Sequence, residues 1–341
     1  MRLRQQRIVL LLFLLVTMAV ILLKQVGIGV RTKSLTCNNR SSSSDMLPCN
    51  PRSNRITKSE NNFKMATKPS VHVLTRGGDG RWVERTGMCD VRHEFVRAHL
   101  KEPANTTIFV YDRASDIFVS ESIISKGMWE GDLVNQTRDF LKEDPERVFL
   151  DLGSNVGVFS LMAAKIGHQV VSVDLLSGNV QRLCASSIEG HFSDRVTIIH
   201  NALSDIRGNV TFRLYKGNVG GTSVKTLDSN QKTKNENIIT AILLDDLLEI
   251  FKFQKVVIKM DLETFEEKVL KGGEKFFTKV RVDYLLMEFE YHRTRPSGRS
   301  IIAMLDRHGM IPMLPSVRDV RNLSDSDIKA WPGYVTWKRK I

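Results

Sequence analysis

The 341 residues predict an α/β protein built on a mostly parallel sheet with helices on both faces. Three observations carry this. From residue 148 onward, short Val/Ile/Leu runs alternate with helical stretches. The first run ends in Asp151 and a glycine turn, Gly153-Ser154-Asn155-Val156-Gly157, and the second ends in an acid, Asp174. Composition agrees, since 42% hydrophobic and 26% charged residues supply a packed core and exclude wholesale disorder.

In chain order the first element is a membrane anchor. The formal charge of +12 raises the question of a nucleic-acid partner, but residues 1–70 hold 12 Lys/Arg against two acids, leaving 38 against 36 in residues 71–341. A nearly neutral body without an aromatic-basic patch argues against nucleic acid. Ile8 to Leu23 is sixteen residues with Thr17 as the only polar one, preceded by Arg2, Arg4 and Arg7 and followed by Lys24. As a helix it spans about 24 Å, a little short of a hydrocarbon core of about 27 Å, and residues up to Val30 close the gap. Gly27-Ile28-Gly29 is a poor signal-peptidase site, so the expectation is a short tail (1–7) and an uncleaved anchor (8–30). Acceptor triplets at Asn39, Asn105, Asn135, Asn209 and Asn322 suit a luminal body, as in a single-pass type II protein of the endoplasmic reticulum or Golgi.

Residues 31–70 are rich in Ser, Asn, Lys and Arg and poor in large apolar residues, which reads as a solvated stalk. Cys37 and Cys49 in it could pair in an oxidising compartment. Cys184, within Leu183-Cys184-Ala185, reads as a plain core thiol, and four cysteines without a C-x-x-C spacing argue against zinc. A lead-in region (71–147) precedes the main domain, 148–341.

Within that domain, strands are expected at 148–151, 170–174, 196–199, 256–261 and 284–289, with helices at 158–166, 179–187 and 265–270. The strands are nearly continuous apolar runs, as strands covered on both faces must be. Val210 to Tyr215 and Ile238 to Leu243, separated by a polar loop, read as an inserted antiparallel pair.

In an open α/β sheet the ligand sits beyond the carboxyl ends of the strands, at the first turn. Gly153 allows a tight turn and close backbone approach, and Gly157 allows close helix packing. Asp174 is placed to accept hydrogen bonds from ribose hydroxyls. Dinucleotide binders place glycine where this chain has Asn155, so that pyrophosphate can approach; here Asp151 would repel a pyrophosphate but suit an ammonium group. A ligand with adenosine at one end and an amino acid at the other is S-adenosylmethionine.

Phe149-Leu150-Asp151-Leu152-Gly153-Ser154-Asn155-Val156-Gly157-Val158-Phe159-Ser160, then Asn201-Ala202-Leu203-Ser204, Leu244-Asp245-Asp246-Leu247-Leu248 and Ile258-Lys259-Met260-Asp261-Leu262-Glu263, with Glu266 and Val269-Leu270-Lys271-Gly272, resembles the FkbM family of S-adenosylmethionine-dependent methyltransferases. Asp116 to Ser120 and Gly127-Met128-Trp129-Glu130 are similar to that family's lead-in. The resemblance covers about 110–292. It implies a class I methyltransferase fold, Rossmann-like, with a seven-stranded mostly parallel sheet and a C-terminal antiparallel hairpin. It also implies S-adenosyl-L-methionine as cofactor, with Ser154, Asn201 and Ala202 beside it, and O-methylation of hydroxyls on sugars or natural products. Two positions depart from the family pattern. Asp174-Leu175 replaces Glu-Pro, and Thr264, expected to begin a helix, replaces glycine after Asp-x-Glu.

Methyl transfer is an in-line displacement at a carbon activated by sulfonium, so the protein aligns two reactants and removes a hydroxyl proton. Asp261 is expected to end the fourth core strand, with Lys259 on the same face. Asp261 or Glu263 is then the base or acceptor anchor, or else the lysine–carboxylate pair only braces the strand end. Glu288, Glu290 and His292 share a parity on the last long strand, which makes His292 a second candidate base. The other histidines lack metal-ligand spacing and no metal is expected, although Asp261 with Glu288 could hold one. The resulting expectation is a membrane-anchored, lumen-facing O-methyltransferase for a glycan or another hydroxylated acceptor. A catalytically inactive binding module and a protein methyltransferase are the other readings.

Overall fold

The computed structural model describes residues 71–89, 94–226, 237–314, 317 and 319–340. The expected tail, anchor and stalk, with Cys37 and Cys49, lie outside the described residues. Among the described residues no helix is long and apolar enough to cross a membrane.

The strands are β1 (His72–Arg76), β2 (Trp82–Glu84), β3 (Val96–Leu100), β4 (Thr106–Val110), β5 (Val148–Leu152), β6 (Val170–Asp174), β7 (Val196–His200), β8 (Ala202–Leu203), β9 (Gly208–Tyr215), β10 (Asn218–Thr226), β11 (Asn237–Ile242), β12 (Lys255–Met260), β13 (Arg281–Glu288), β14 (Met310–Pro312) and β15 (Tyr334–Arg339). The helices are α1 (Val119–Lys126), α2 (Gly131–Lys142), α3 (Val158–Lys165), α4 (Ser177–Glu189), α5 (Glu266–Lys271), α6 (Glu274–Lys279), α7 (Pro296–Arg307) and α8 (Asp325–Lys329).

Nine strands form the main sheet in the order β14-β15-β13-β12-β5-β6-β7-β1-β2. Strands β13, β12, β5, β6 and β7 run parallel, and β15 inserts antiparallel between β13 and β14. The seven expected strands are therefore present, but the lead-in adds two: β1 parallel to β7, and β2 antiparallel to β1. The expected boundary at 147/148 thus does not separate the lead-in from the sheet.

Strand residues alternate between two apolar clusters, one on each face. Leu150, Leu152 and Ile258 pack in one, and Phe149, Val170 and Val257 in the other. That is why these runs carry no polar period, as expected for strands buried on both sides. Helix α3 is buried at every position from Val158 to Ala164, which explains its apolar character all round.

The inserted pair is present, with β9 antiparallel to β11. The stretch read as a polar loop nevertheless contributes a further strand, β10, on the other side of β9, giving a second sheet in the order β10-β9-β11-β8. Glycines at 217, 220 and 221 hid it from a pattern reading, because they carry no side chain to alternate.

Cys184 is not the core thiol that the sequence suggested. It is joined by a disulfide to Cys89, 95 residues earlier, just after β2. Its position on the buried face of α4 is as expected; the partner comes from tertiary packing that sequence spacing does not encode.

Candidate active site

A cavity of about 320 Å³ opens at the carboxyl edge of the main sheet, a volume in the range of small-molecule sites. Four consecutive strands deliver its floor. Asp174 ends β6, Gly153 follows β5, Asp261 follows β12 and Glu288 ends β13. Neighbouring strands stand about 4.8 Å apart, so these groups form a row of roughly 14 Å.

The glycine turn has φ +83° at Gly153 and +95° at Gly157, with Asn155 at +51°. Asparagine is among the few residues that enter this left-handed region readily, which lets Asn155 stand where dinucleotide binders have glycine. A Cβ on Gly153 would lie 1.9 Å from the Asp261 carbonyl oxygen, and one on Gly157 would lie 2.3 Å from Leu183 Cδ1. The close approach at Gly153 is thus to the loop after β12, which brings the glycine turn and Asp261 together. Gly157 serves the tight helix packing read from sequence, here against α4.

The predicted nucleoside residues divide. Asp174, Asn201, Ala202, Ser154 and Asn155 line the cavity, but three of their side chains are engaged by the protein itself, Asn155 Oδ1 accepting from the Val156 N–H at 2.8 Å. Asp174 Oδ2 accepts from the Asn155 N–H at 2.8 Å, its Oδ1 accepts from the Leu176 N–H at 2.8 Å, and Asn179 Nδ2 donates to both oxygens. Burial raises this carboxyl to about 6 against those hydrogen bonds. Asn201 accepts from the Arg76 N–H and donates to the Arg76 and Thr240 carbonyls, so its side chain ties β1 to β11 instead of reaching a ligand. Asp151 is fully buried and is not among the lining residues. Its Oδ2 accepts from Ser160 Oγ at 2.6 Å, and its Oδ1 has no hydrogen-bond partner.

The carboxylate row centres on Lys259. In register Lys259 stands beside Asp151, so both project to the same face, as the period of two required. Lys259 Nζ donates to Asp261 Oδ2 at 3.0 Å, and Tyr334 Oη donates to the same oxygen at 2.8 Å. Strand β12 ends at Met260, and Asp261 is the next residue, its N–H bonded to the Leu152 carbonyl. Burial opposes the charge on Lys259, but Asp261, Glu130 and Asp151 outweigh it and hold the ammonium above the usual lysine range. Burial likewise opposes ionisation of Asp261, yet Lys259 and Tyr334 hold its carboxyl below the usual range.

Glu263 and Glu288 behave differently. Burial, with Asp261 and Glu266 beside it, raises Glu263 to about 7. Burial and the charges of Asp261, Glu263 and Glu266 raise Glu288 to about 9. One carboxylate oxygen from each of Asp261, Glu263 and Glu288 lies within 4.8 Å of the others. Three like charges at that spacing do not all ionise, and Glu288 keeps its proton at neutral pH. The site therefore holds a fixed carboxylate, a carboxyl balanced near neutrality and a neutral acid in one row.

The loop bearing Glu263 is strained. Glu263 has φ +50° and Thr264 +85°. Thr264 does not begin a helix, since α5 starts at Glu266, and a β-branched residue in the left-handed region is an outlier. That conformation accounts for the glycine that the resembling family carries there.

His292 is corrected. Strand β13 stops at Glu288, so Glu290 and His292 leave its parity and lie in the following turn. His292 is buried and does not line the cavity; its ring nitrogens meet Ser297 Oγ and Glu266 Oε2, each at 2.7 Å. Glu266 Oε1 also accepts from the Leu262 N–H, so the pair braces the strained loop. Glu290 pairs with Arg293.

The sequence reading assigned no role to Glu130 or Tyr334. Both line the cavity. Tyr334 arrives as the register partner of Glu288, at the start of an antiparallel strand that no local pattern links to the site. Trp129-Glu130 stood in the motif similar to the family's lead-in, and that was its only signal.

A nine-stranded mixed sheet with this carboxyl-edge cavity is a Rossmann-like class I methyltransferase fold. Among solved structures the chain is similar to an O-methyltransferase from Bacillus cereus in complex with SAH, at 12% identity over 62% of this chain and 83% of that one, TM-score 0.37. It is also similar to magnesium protoporphyrin IX methyltransferase (ChlM) from Synechocystis PCC 6803 with bound SAM, at 14% identity, 65% and 84% coverage and TM-score 0.35. No curated protein matches the chain. Residues 151–312 match the model described as the methyltransferase FkbM domain. Residues 151–312 are thus a methyltransferase FkbM domain, and the protein is an S-adenosylmethionine-dependent methyltransferase.

The residues present fit that cofactor. Ser154 Oγ, Glu130 Oε2 and Glu288 Oε2 are buried acceptors without a partner around the cavity, suited to a ligand that brings hydrogen-bond donors and positive charge.

Proposed function

We propose that the protein is an O-methyltransferase in which Glu263 is the general base. The observation that carries this reading is the row of unequal carboxyls. Asp261 is spoken for by Lys259 and Tyr334, Glu288 is protonated, and Glu263 is the member of this trio that titrates near neutrality, where a base is most effective. S-adenosylmethionine supplies a methyl group on a sulfonium sulfur. Glu263 accepts the acceptor hydroxyl's proton as the oxygen–carbon bond forms and the carbon–sulfur bond breaks. Asp261, held from two sides, orients the acceptor, and the Glu288 carboxyl can donate a hydrogen bond to Asp261. Ser154 and the backbone of the glycine turn hold the donor. Ala202 and the Asp174 turn form the wall on its nucleoside side. Closure of the site by Phe118 and, from the second sheet, by residues 218–222 and Val224 limits water at the reacting atoms.

The acceptor in this proposal is a hydroxyl of a glycan or another secretory-pathway molecule, and the body is luminal, tethered by residues 8–30 in the Golgi or endoplasmic reticulum. Support comes from the apolar run at 8–23 and from exposed sequon asparagines at Asn105, Asn209 and Asn322. The Cys89–Cys184 disulfide adds to it, since such bonds persist in oxidising compartments. The test is a screen of glycan and non-glycan acceptors with methyl-labelled S-adenosylmethionine and the full-length chain. Label on a hydroxyl, lost in Glu263→Gln, is the expected result. Label on protein nitrogen, or Glu263→Gln as active as wild type, would overturn the proposal.

A further inference from the structure

The sequence assigns the donor's ammonium group to Asp151, but the fold places another carboxylate at the cavity in its stead. Asp151 is fully buried, outside the lining, with one oxygen bonded to Ser160. Glu130 lines the cavity, and its Oε2 is buried without a hydrogen-bond partner. A carboxylate oxygen in that state loses the hydration it had in water unless a ligand donates to it.

The backbone around Glu130 is shaped to present it. Gly127, at φ +71°, ends α1, and Glu130 takes φ +49° immediately before α2. The first residue of α2 is Gly131, where a Cβ would lie 2.0 Å from the Met128 sulfur. A left-handed glutamate fixed between a helix end and a helix start is a conformation that a mere surface acid does not need.

Its surroundings point to the donor's amino-acid end. Burial raises the Glu130 carboxyl; Lys259 and the Tyr334 hydroxyl, which reaches its other side, oppose that, and Asp261 and Asp151 add to it, so the charges around it sit on and just after β12 and β5. Glu263 and Glu288 form the other grouping, over β12 and β13, where the acceptor is proposed to sit. Lys259 does not supply a free counter-charge, because Asp261 takes it at 3.0 Å. The Asp174 end is two strands away from β12. A ligand lying along this row with its nucleoside at β6 brings its amino-acid end over β5 and β12, within the grouping that contains Glu130.

We infer that Glu130 receives the α-ammonium group of the methyl donor, the role that the sequence pattern gave to Asp151. This rests on the methyltransferase reading and adds a binding residue to it.

Calorimetry with the full-length chain tests it through binding alone, using three probes: S-adenosylhomocysteine, its analogue with hydroxyl in place of the amino group, and 5′-methylthioadenosine, which lacks the amino-acid end. Wild type is expected to bind S-adenosylhomocysteine at least about tenfold more tightly than the hydroxyl analogue, the effect of one charge-assisted hydrogen bond. In Glu130→Gln that preference is expected to fall to about twofold or less, with 5′-methylthioadenosine bound as in wild type. A tenfold preference that survives in Glu130→Gln overturns the inference. So does wild type that binds both S-adenosylhomocysteine and the hydroxyl analogue equally, a result that needs no variant to fold. Wild type that binds none of the three probes overturns the cofactor reading beneath it instead.

Discussion

Lys259 and Asp261, two residues apart at the end of one strand, form an ion pair of 3.0 Å with only 6% of the lysine side chain and 22% of the aspartate side chain exposed. The pair is the hinge of the site's electrostatics. Asp151, Glu130, Glu263 and Glu288 surround it, and the Lys259 charge favours the ionised form of each of these acids.

Removing that cation leaves buried carboxylates uncompensated. Lys259→Met is expected to lower unfolding free energy by about 3–5 kcal/mol, the usual effect of breaking one partner of a buried pair. Urea denaturation measures it, and a loss within ~1 kcal/mol would show that Asp261 and Asp151 are neutral in the folded protein.

Glu263 sets a pH profile. With its carboxyl raised to about 7, turnover is expected to climb as pH rises through 7, because the ionised form is the base. Glu263→Gln should cut kcat by about 10²–10⁴ and leave S-adenosylhomocysteine affinity within about twofold. An unchanged profile in the variant would move the base elsewhere.

Glu288 links stability to pH with a definite sign. A carboxyl raised from 4.5 to about 9 binds its proton more tightly in the folded state. Its contribution is complete below pH 4.5 and is lost as pH rises through 9. Glu288→Gln, which mimics the protonated form, is expected to flatten the decline in melting temperature between pH 5 and pH 9. A decline as steep as that of wild type counts against a protonated Glu288.

Thr264 at φ +85° predicts a stabilising substitution. Thr264→Gly relieves about 1–3 kcal/mol of left-handed strain while increasing unfolded-state entropy by about 1 kcal/mol, for a net gain of ~1 kcal/mol. A rise in the denaturation midpoint checks it; a fall means that the Thr264 side chain is needed where it is.

The disulfide between Cys89 and Cys184 closes a loop over a sequence separation of 95 residues, tying the lead-in to α4. Cys184→Ser is expected to cost about 2–5 kcal/mol, and reducing agent should bring wild type to the same stability. Equal stability of oxidised wild type and Cys184→Ser would remove the bond from the account.

The local pattern by itself determined the parallel strands, the glycine turn, the acid that ends β6 and the placing of Lys259 on one face with Asp261; that Asp261 and not Glu263 takes the lysine came from the structure. Each of the local features follows from forces acting over a few residues: burial of both sheet faces, the left-handed φ that Gly153 and Gly157 accept, and a two-residue period that aims Lys259 and Asp261 the same way. Other features waited on tertiary structure. Tyr334 meets Asp261 across 73 residues, Cys89 meets Cys184 across 95, and β10 lies beside β9 despite its glycines. Where a strand ends was also decided in three dimensions: stopping β13 at Glu288 turned His292 away to Glu266. Asp151 and Glu130 mark the division most clearly. The sequence places a carboxylate at the end of the first core strand, but only packing decides which carboxylate is buried behind the turn and which is left at the cavity.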